Sequence, residues 1–148
     1  NMFQKHQRFF TMLYLVADVK TGVIQFYRAG HNEPLLLRKG EPPRYLAGGG
    51  PLIGFQLPRA ASELQEIQLQ PGDRLVIYSD GINEAIDPEG ELYGLDRLAD
   101  FLGRSDGADL QVTLDNLVTD VRRFSSSQTF EDDVSMIGIT WNPAPSTS

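Results

Sequence analysis

Two short acidic stretches hold most of the chemistry this sequence could perform. Tyr78-Ser79-Asp80-Gly81 sets a carboxylate at the C-terminal end of an apolar run, Arg74 to Tyr78, with Gly81 free to let the backbone turn sharply there. Glu131-Asp132-Asp133 stands immediately before a second apolar run that opens at Val134. Three adjacent like charges repel one another, and a hard divalent cation is one way to relieve that repulsion. Each stretch also has an ordinary reading, since Asp-Gly is a common turn pair and an acidic triplet can be a solvated turn. Their joint appearance favours chemistry, because strands pairing side by side would gather both sets of oxygens around one point.

The other candidates are weaker. His31, in Ala29-Gly30-His31-Asn32, reads either as a hydrogen-bonding turn residue or as a general acid or phosphate contact. Gly48-Gly49-Gly50 could cradle a phosphate through its backbone N–H groups. No Lys-Ser/Thr follows it and no helix opens there, which excludes a P-loop and leaves a flexible flap. No Gly-x-Ser-x-Gly elbow is present, so the serines and the two histidines do not make a hydrolase triad. The chain has no cysteine, which excludes disulfides, thiolate metal sites and a Cys nucleophile together. Any metal must be held by carboxylates, His or carbonyls.

The elements that must position these residues follow from pattern and turn chemistry. Gln4 to Phe10 reads as the end of a helix or a lead-in. Met12 to Ala17 and Val23 to Ala29 are rich in strand formers and flank Asp18-Val19-Lys20-Thr21-Gly22, which predicts a β-hairpin. Leu35 to Arg38 is a third short strand, and Glu41 to Pro58 a long excursion holding another. Glu63 to Leu69 reads as a half-wet strand, Pro71-Gly72-Asp73 as a turn, and Arg74 to Tyr78 as a central strand. Two helices follow, on the stripes Leu95, Leu98, Ala99, Leu102 and Leu110, Leu114, Leu117, Val118, Val121, all expected in the core. Val134 to Trp141 is the last strand. Strands, then helices, then a strand, with no βαβ alternation, predict α+β with a mainly antiparallel sheet.

Composition sets the outer bounds. The 148 residues carry 13 Lys+Arg against 20 Asp+Glu, a formal charge of −7, which argues against a nucleic-acid partner. No apolar run approaches the about 20 residues that span a bilayer, and Asn1 to Phe10 is too polar for a signal peptide, so no membrane partner is expected. Hydrophobic content of 41% is that of a folded domain.

Four segments then occur in one order. They are Tyr27-Arg28-Ala29-Gly30-His31-Asn32-Glu33-Pro34-Leu35-Leu36-Leu37, then Gly50-Pro51-Leu52-Ile53-Gly54, then Leu69-Gln70-Pro71-Gly72-Asp73 through Asp80-Gly81-Ile82-Asn83-Glu84-Ala85, and last Asp132-Asp133-Val134-Ser135. Together they resemble the bacterial metal-dependent Ser/Thr protein phosphatases of the PPM superfamily, in the branch typified by sporulation stage II protein E. The resemblance implies an α-β-β-α sandwich with a binuclear Mn2+ or Mg2+ centre at one end. Asp80 matches a metal ligand of that family and Asp132 a second, with Asp133 and Gly81 beside them; His31 and Gly50 fall at substrate or flap positions. The implied reaction is hydrolysis of phosphoserine or phosphothreonine by a metal-bound hydroxide.

One family motif is missing. The early Asp-x-x-Gly-x-Gly that carries the bridging carboxylate occurs nowhere in the chain. Residues 1–141 are therefore expected to be the C-terminal two-thirds of such a domain, incomplete at its N-terminal side, with 142–148 a flexible tail. Lacking early strands, the chain is expected to pair with a second copy, or to need the absent segment, because Met12 to Ala17 and Arg74 to Tyr78 are too apolar to face water. The resemblance further implies a cytoplasmic protein, an upstream sensor or receiver domain, and a phosphorylated anti-sigma-factor antagonist as substrate. The missing motif supports an alternative, a non-catalytic pseudophosphatase that binds a partner protein. A simple Ca2+-binding domain is the weakest reading, since the acidic cluster lacks the alternation and closing Glu of an EF-hand.

Overall fold

The computed structural model describes residues 10–50, 64–105, 107–127, 130 and 132–143. Its first unit is a hairpin of β1 (Met12–Ala17) and β2 (Val23–Ala29), paired antiparallel from Met12↔Ala29 to Ala17↔Ile24. The turn is made by Asp18, whose carboxylate accepts from the N–H groups of Lys20 at 2.9 Å and Thr21 at 3.2 Å. Those backbone donors hold the Asp18 carboxyl below its ordinary range. Gly22 closes the turn with φ at +76°. A Cβ on Gly22 would lie 2.7 Å from the Trp141 ring, and the Trp141 indole N–H donates to Val19 O at 3.0 Å. The hairpin tip is thus clasped by the far end of the described chain.

β3 (Leu35–Leu37), β4 (Arg44–Tyr45), β5 (Gln65–Gln68), β6 (Arg74–Tyr78) and β7 (Met136–Thr140) complete two sheets, ordered β1-β2-β5 and β4-β3-β6-β7, with every pairing antiparallel. α1 (Asp80–Asn83), α2 (Gly94–Gly103) and α3 (Leu110–Phe124) lie between β6 and β7 in sequence. β6 is internal, flanked by β3 and β7, as its continuous apolar run requires. Leu75 joins Ile24, Phe26, Leu36, Leu46 and Leu69 between the sheets. Val76 and Tyr78 join Leu98, Leu102, Leu117 and Val121 under the helices. Each of these fully buried aliphatic side chains contributes on the order of 1.5–3 kcal/mol. Gly138 lets α3 settle onto β7, since a Cβ there would meet Leu110 Cδ2 at 2.8 Å.

The described residues therefore build three layers, sheet on sheet with helices outside the second sheet, a mixed α and β architecture of antiparallel sheets. The outer face of the first sheet carries Tyr14, Val16, Gln25 and Glu66 to solvent. Tyr14 is 57% and Val16 48% exposed, which corrects the expectation that β1 is too apolar to face water. As an edge strand, β1 buries only its Leu13 and Leu15 face. Leu95 corrects the helical stripe in the same way: it is 45% exposed in the first turn of α2, where its carbonyl accepts from the Tyr45 hydroxyl at 2.7 Å.

Boundaries shift by a residue or two elsewhere. β3 stops at Leu37 because Arg38 is drawn off to Asp73, and β7 is shorter than Val134 to Trp141 at both ends. α1 is an element the sequence reading lacks. The lead-in at Gln4, Glu63, Pro51 to Gly54, Glu131 and the tail from Ala144 lie outside the described residues.

Candidate functional site

The β6–β7 ladder runs in register from Arg74↔Thr140 to Tyr78↔Met136, and one further step sets Ser79 opposite Ser135. The Ser79 N–H donates to Ser135 O at 2.9 Å. The Ser79 hydroxyl donates to Asp133 O at 2.9 Å and accepts from the Ser135 N–H at 2.9 Å. Beyond Ser79 the chain enters α1, with Asp80 as its first residue and Glu84 N–H donating to Asp80 O at 2.8 Å. On the opposing segment, Asp132 Oδ1 accepts from the Asp133 N–H at 2.8 Å. The fold thus brings the two acidic stretches to the same end of adjacent strands. Asp80, Asp132 and Asp133 are all exposed.

Gly81 is needed for a reason other than the expected sharp turn. It is buried within α1, and its φ is not among the left-handed ones. A Cβ at this position would lie 2.7 Å from Asp133 O and 3.1 Å from Val134 Cγ2. Only a glycine lets the two acidic segments approach this closely.

His31 and Gly50 belong to a neighbouring knot of loops. The His31 ring Nδ1 lies 3.1 Å from Asn32 O, and the Asn32 amide donates to Asn83 Oδ1 at 3.2 Å and reaches Tyr78 O at 3.5 Å. Asn32 therefore ties the Gly-His-Asn turn to the end of β6 and to α1. Gly50 is not a free flap: Gly30 N–H donates to Gly50 O at 3.2 Å, and Gly50 N–H to Arg28 O at 2.6 Å. The Arg28 guanidinium donates from Nε to Gly48 O at 2.7 Å and from Nη1 to His31 O at 2.6 Å, so one side chain holds both loops. Gly49 is required there, because a Cβ would sit 2.6 Å from Arg28 O.

A cleft of about 380 Å³ opens beside Gly81 and Asp132, walled also by Glu84, Ile86, Ser125 and Phe130. A larger one of about 610 Å³ lies at the other end of β6, against Gly72 and Arg74, and neither Asp80 nor Asp132 lines it. Beneath the acidic end, burial pushes the Tyr78 hydroxyl far above the ordinary phenol range and the Tyr45 hydroxyl up to about 12. Both stay protonated at neutral pH, so neither is a base. The carboxylates Asp80, Asp132 and Asp133 are hard oxygen donors of the kind Mg2+ and Mn2+ accept. Among the described residues, no three His, Asp or Glu side chains converge to enclose a metal ion. In donor type the residues fit a divalent cation; in number they fall short of enclosing one.

Sequence reasoning missed Ser79, Asn32 and Arg28. Ser79 had one visible signal, a hydroxyl residue wedged between an apolar strand and Asp-Gly. The partners of Asn32 and Arg28 are set by the tertiary fold and left no local trace.

The family described as Stage II sporulation protein E (SpoIIE) matches residues 1–142. Protein IcfG of Synechocystis sp. (strain ATCC 27184 / PCC 6803 / Kazusa) is 27% identical over 135 residues, 90% of this chain and 21% of that protein. Among solved structures, the phosphatase domain of the cell fate determinant SpoIIE from Bacillus subtilis superposes with TM-score 0.73 at 19% identity, covering 93% of this chain and 61% of that one. The RsbU and RsbW domains of Rv1364c from Mycobacterium tuberculosis give TM-score 0.64 at 27% identity, over 91% and 37%. The SiaA-PP2C domain of Pseudomonas aeruginosa gives 0.69 at 20% identity, over 82% and 48%. The chain thus spans about a fifth of the curated relative and between 37% and 61% of these solved chains.

Proposed function

The chain belongs to the stage II sporulation protein E family of PPM-type phosphatases, and on that premise we propose that it carries the Asp80–Asp132 half of a metal-dependent protein-serine/threonine phosphatase centre. The observation that supports this most is the meeting of Asp80 with Asp132-Asp133 at one end of β6 and β7, fastened by Ser79 and admitted by Gly81. Asp80 and Asp132 would hold Mn2+ or Mg2+, with Asp133 and the Gly81 segment adjacent, and with further donors from outside the described residues. When bound, such cations supply Lewis acidity and an activated water for in-line attack on phosphorus, so no protein nucleophile is required. The chain's own groups bind and orient. The two carboxylates would hold the cations, the buried Tyr78 and Ile82 give α1 a rigid footing, and the cleft beside Asp132 would receive the phosphorylated segment. The substrate is a phosphorylated regulatory protein, on the family resemblance an anti-sigma-factor antagonist, and an upstream sensor or receiver domain in the cytoplasm would govern access.

The absence of three convergent acidic side chains among the described residues favours one second reading, a pseudophosphatase that binds a partner without hydrolysing it. Titration calorimetry with Mn2+ and hydrolysis of a phosphoserine peptide, run on the natural full-length protein and its Asp80→Asn and Asp132→Asn variants, separate the two. Mn2+-dependent turnover lost in both variants supports the phosphatase. Tight partner binding with no Mn2+ uptake and no turnover supports the second reading.

A further inference from the structure

In a regular antiparallel ladder, a hydrogen-bonded pair exchanges two backbone bonds. At the Ser79–Ser135 rung only one is made by backbone alone, Ser79 N–H to Ser135 O at 2.9 Å. The reciprocal acceptor, Ser79 O, has left the sheet and accepts instead from the Ile82 N–H at 3.2 Å, opening α1. The vacant place is taken by the Ser79 side chain, whose oxygen accepts from the Ser135 N–H at 2.9 Å. The same hydroxyl spends its proton on Asp133 O at 2.9 Å. A hydroxyl is suited to this, since it donates once and accepts twice from one atom on a short stem. A carboxylate cannot donate, and an alanine can do neither.

We propose that Ser79 is a positioning residue for the acidic pole. Its hydroxyl replaces the missing rung, so that Asp80 can turn out of the sheet into α1 while Asp132-Asp133 stay in register across from it. Two of the three hydrogen bonds between the segments run through this one atom. Gly81 completes the arrangement, because a Cβ there would lie 2.7 Å from the same Asp133 carbonyl that the Ser79 hydroxyl holds. The consequence for cation binding rests on the metal reading above; the latch itself does not.

Ser79→Ala and Ser79→Thr in the natural full-length protein test it, beside Asp80→Asn and Asp132→Asn. In hydrogen exchange, Ser79→Ala is expected to speed the Ser135 amide about tenfold, leave mid-ladder β7 amides unchanged, and be rescued by Ser79→Thr. Mn2+ titration followed by electron paramagnetic resonance is expected to show about tenfold weaker binding in Ser79→Ala, again rescued by threonine. Unchanged exchange at Ser135 in Ser79→Ala, or equal damage from alanine and threonine, overturns the latch. Undiminished Mn2+ affinity in Ser79→Ala, where Asp80→Asn and Asp132→Asn lose theirs, overturns its role at the pole. If wild type and both aspartate variants bind Mn2+ alike or not at all, the metal reading fails, and the exchange result still decides for or against the latch.

Discussion

β6 carries a carboxylate just beyond each end, and the two are treated in opposite ways. Before the strand, Asp73 is 2% exposed and takes Arg38 in a forked pair, Nε to Oδ1 at 3.1 Å and Nη2 to Oδ2 at 2.7 Å, with the Gln70 N–H at 2.8 Å. Its carbonyl continues the ladder by accepting from the Trp141 N–H at 3.0 Å. The hydrogen bonds to Asp73, and then its charge, keep the Arg38 guanidinium even more firmly protonated than usual. After the strand, Asp80 is exposed beside Asp132 and Asp133, and no ion pair among the described residues reaches any of the three. A carboxylate that serves structure is buried, forked and neutralised. Three exposed carboxylates at one end of adjacent strands, with no ion pair among the described residues, add little to stability, in keeping with the proposal that they serve a ligand.

The sharpest way to break this contrast is at the buried end. Arg38→Ala leaves Asp73 charged and buried, and is expected to cost about 3–5 kcal/mol in urea unfolding. At the exposed end, Asp80→Asn should lower metal-dependent phosphopeptide hydrolysis by the natural full-length protein on the order of 100-fold, while its unfolding free energy moves by no more than about 0.5 kcal/mol. If Asp80→Asn were as damaging to stability as Arg38→Ala, the two ends would not differ in kind. Gly81→Ala lies between: the added methyl meets Asp133 O, and a loss of about 1–3 kcal/mol is expected in the same denaturation experiment.

The smallest effect is at alkaline pH. Burial raises the Tyr45 hydroxyl from 10.0 to about 12, so the folded state keeps a proton that the unfolded chain releases. Its contribution is whole below about pH 10 and is lost as pH rises through about 12. Tyr78 and Tyr93 are shifted in the same direction by burial. Tyr45→Phe should make the fall in stability shallower over that window, measured by unfolding at stepped pH.

Much of this framework was legible in the residues. β1, β2 and β6 appear with the bounds their patterns implied, because strand-forming runs, the Asp18 to Gly22 turn chemistry and a bracketed apolar run are local signals. Gly72, at φ +88° after Pro71, closes the turn read from Pro71-Gly72-Asp73. α1 left no such signal, since four residues show no helical period. Leu95 was misplaced because a stripe tells which side of a helix is apolar, not how far the helix extends past its neighbours. The site was legible as two acidic stretches but not as a joined pole. The bonds that join it link Asn32 to Asn83 across 51 positions and Ser79 to Asp133 across 54, and no pattern in either segment announces the other.

That separation also sets when the pole can exist. Drawing together ends 54 residues apart costs roughly 3.5 kcal/mol of chain entropy by the loop-closure relation, and contacts of such long range form late in folding. β7 is synthesised after both long helices, so an emerging chain displays Asp80 well before Asp132 has a strand to stand on. A half-folded molecule therefore owns the carboxylates and none of the arrangement. If the pole takes up a cation as proposed, metal capture would report that β7 has docked.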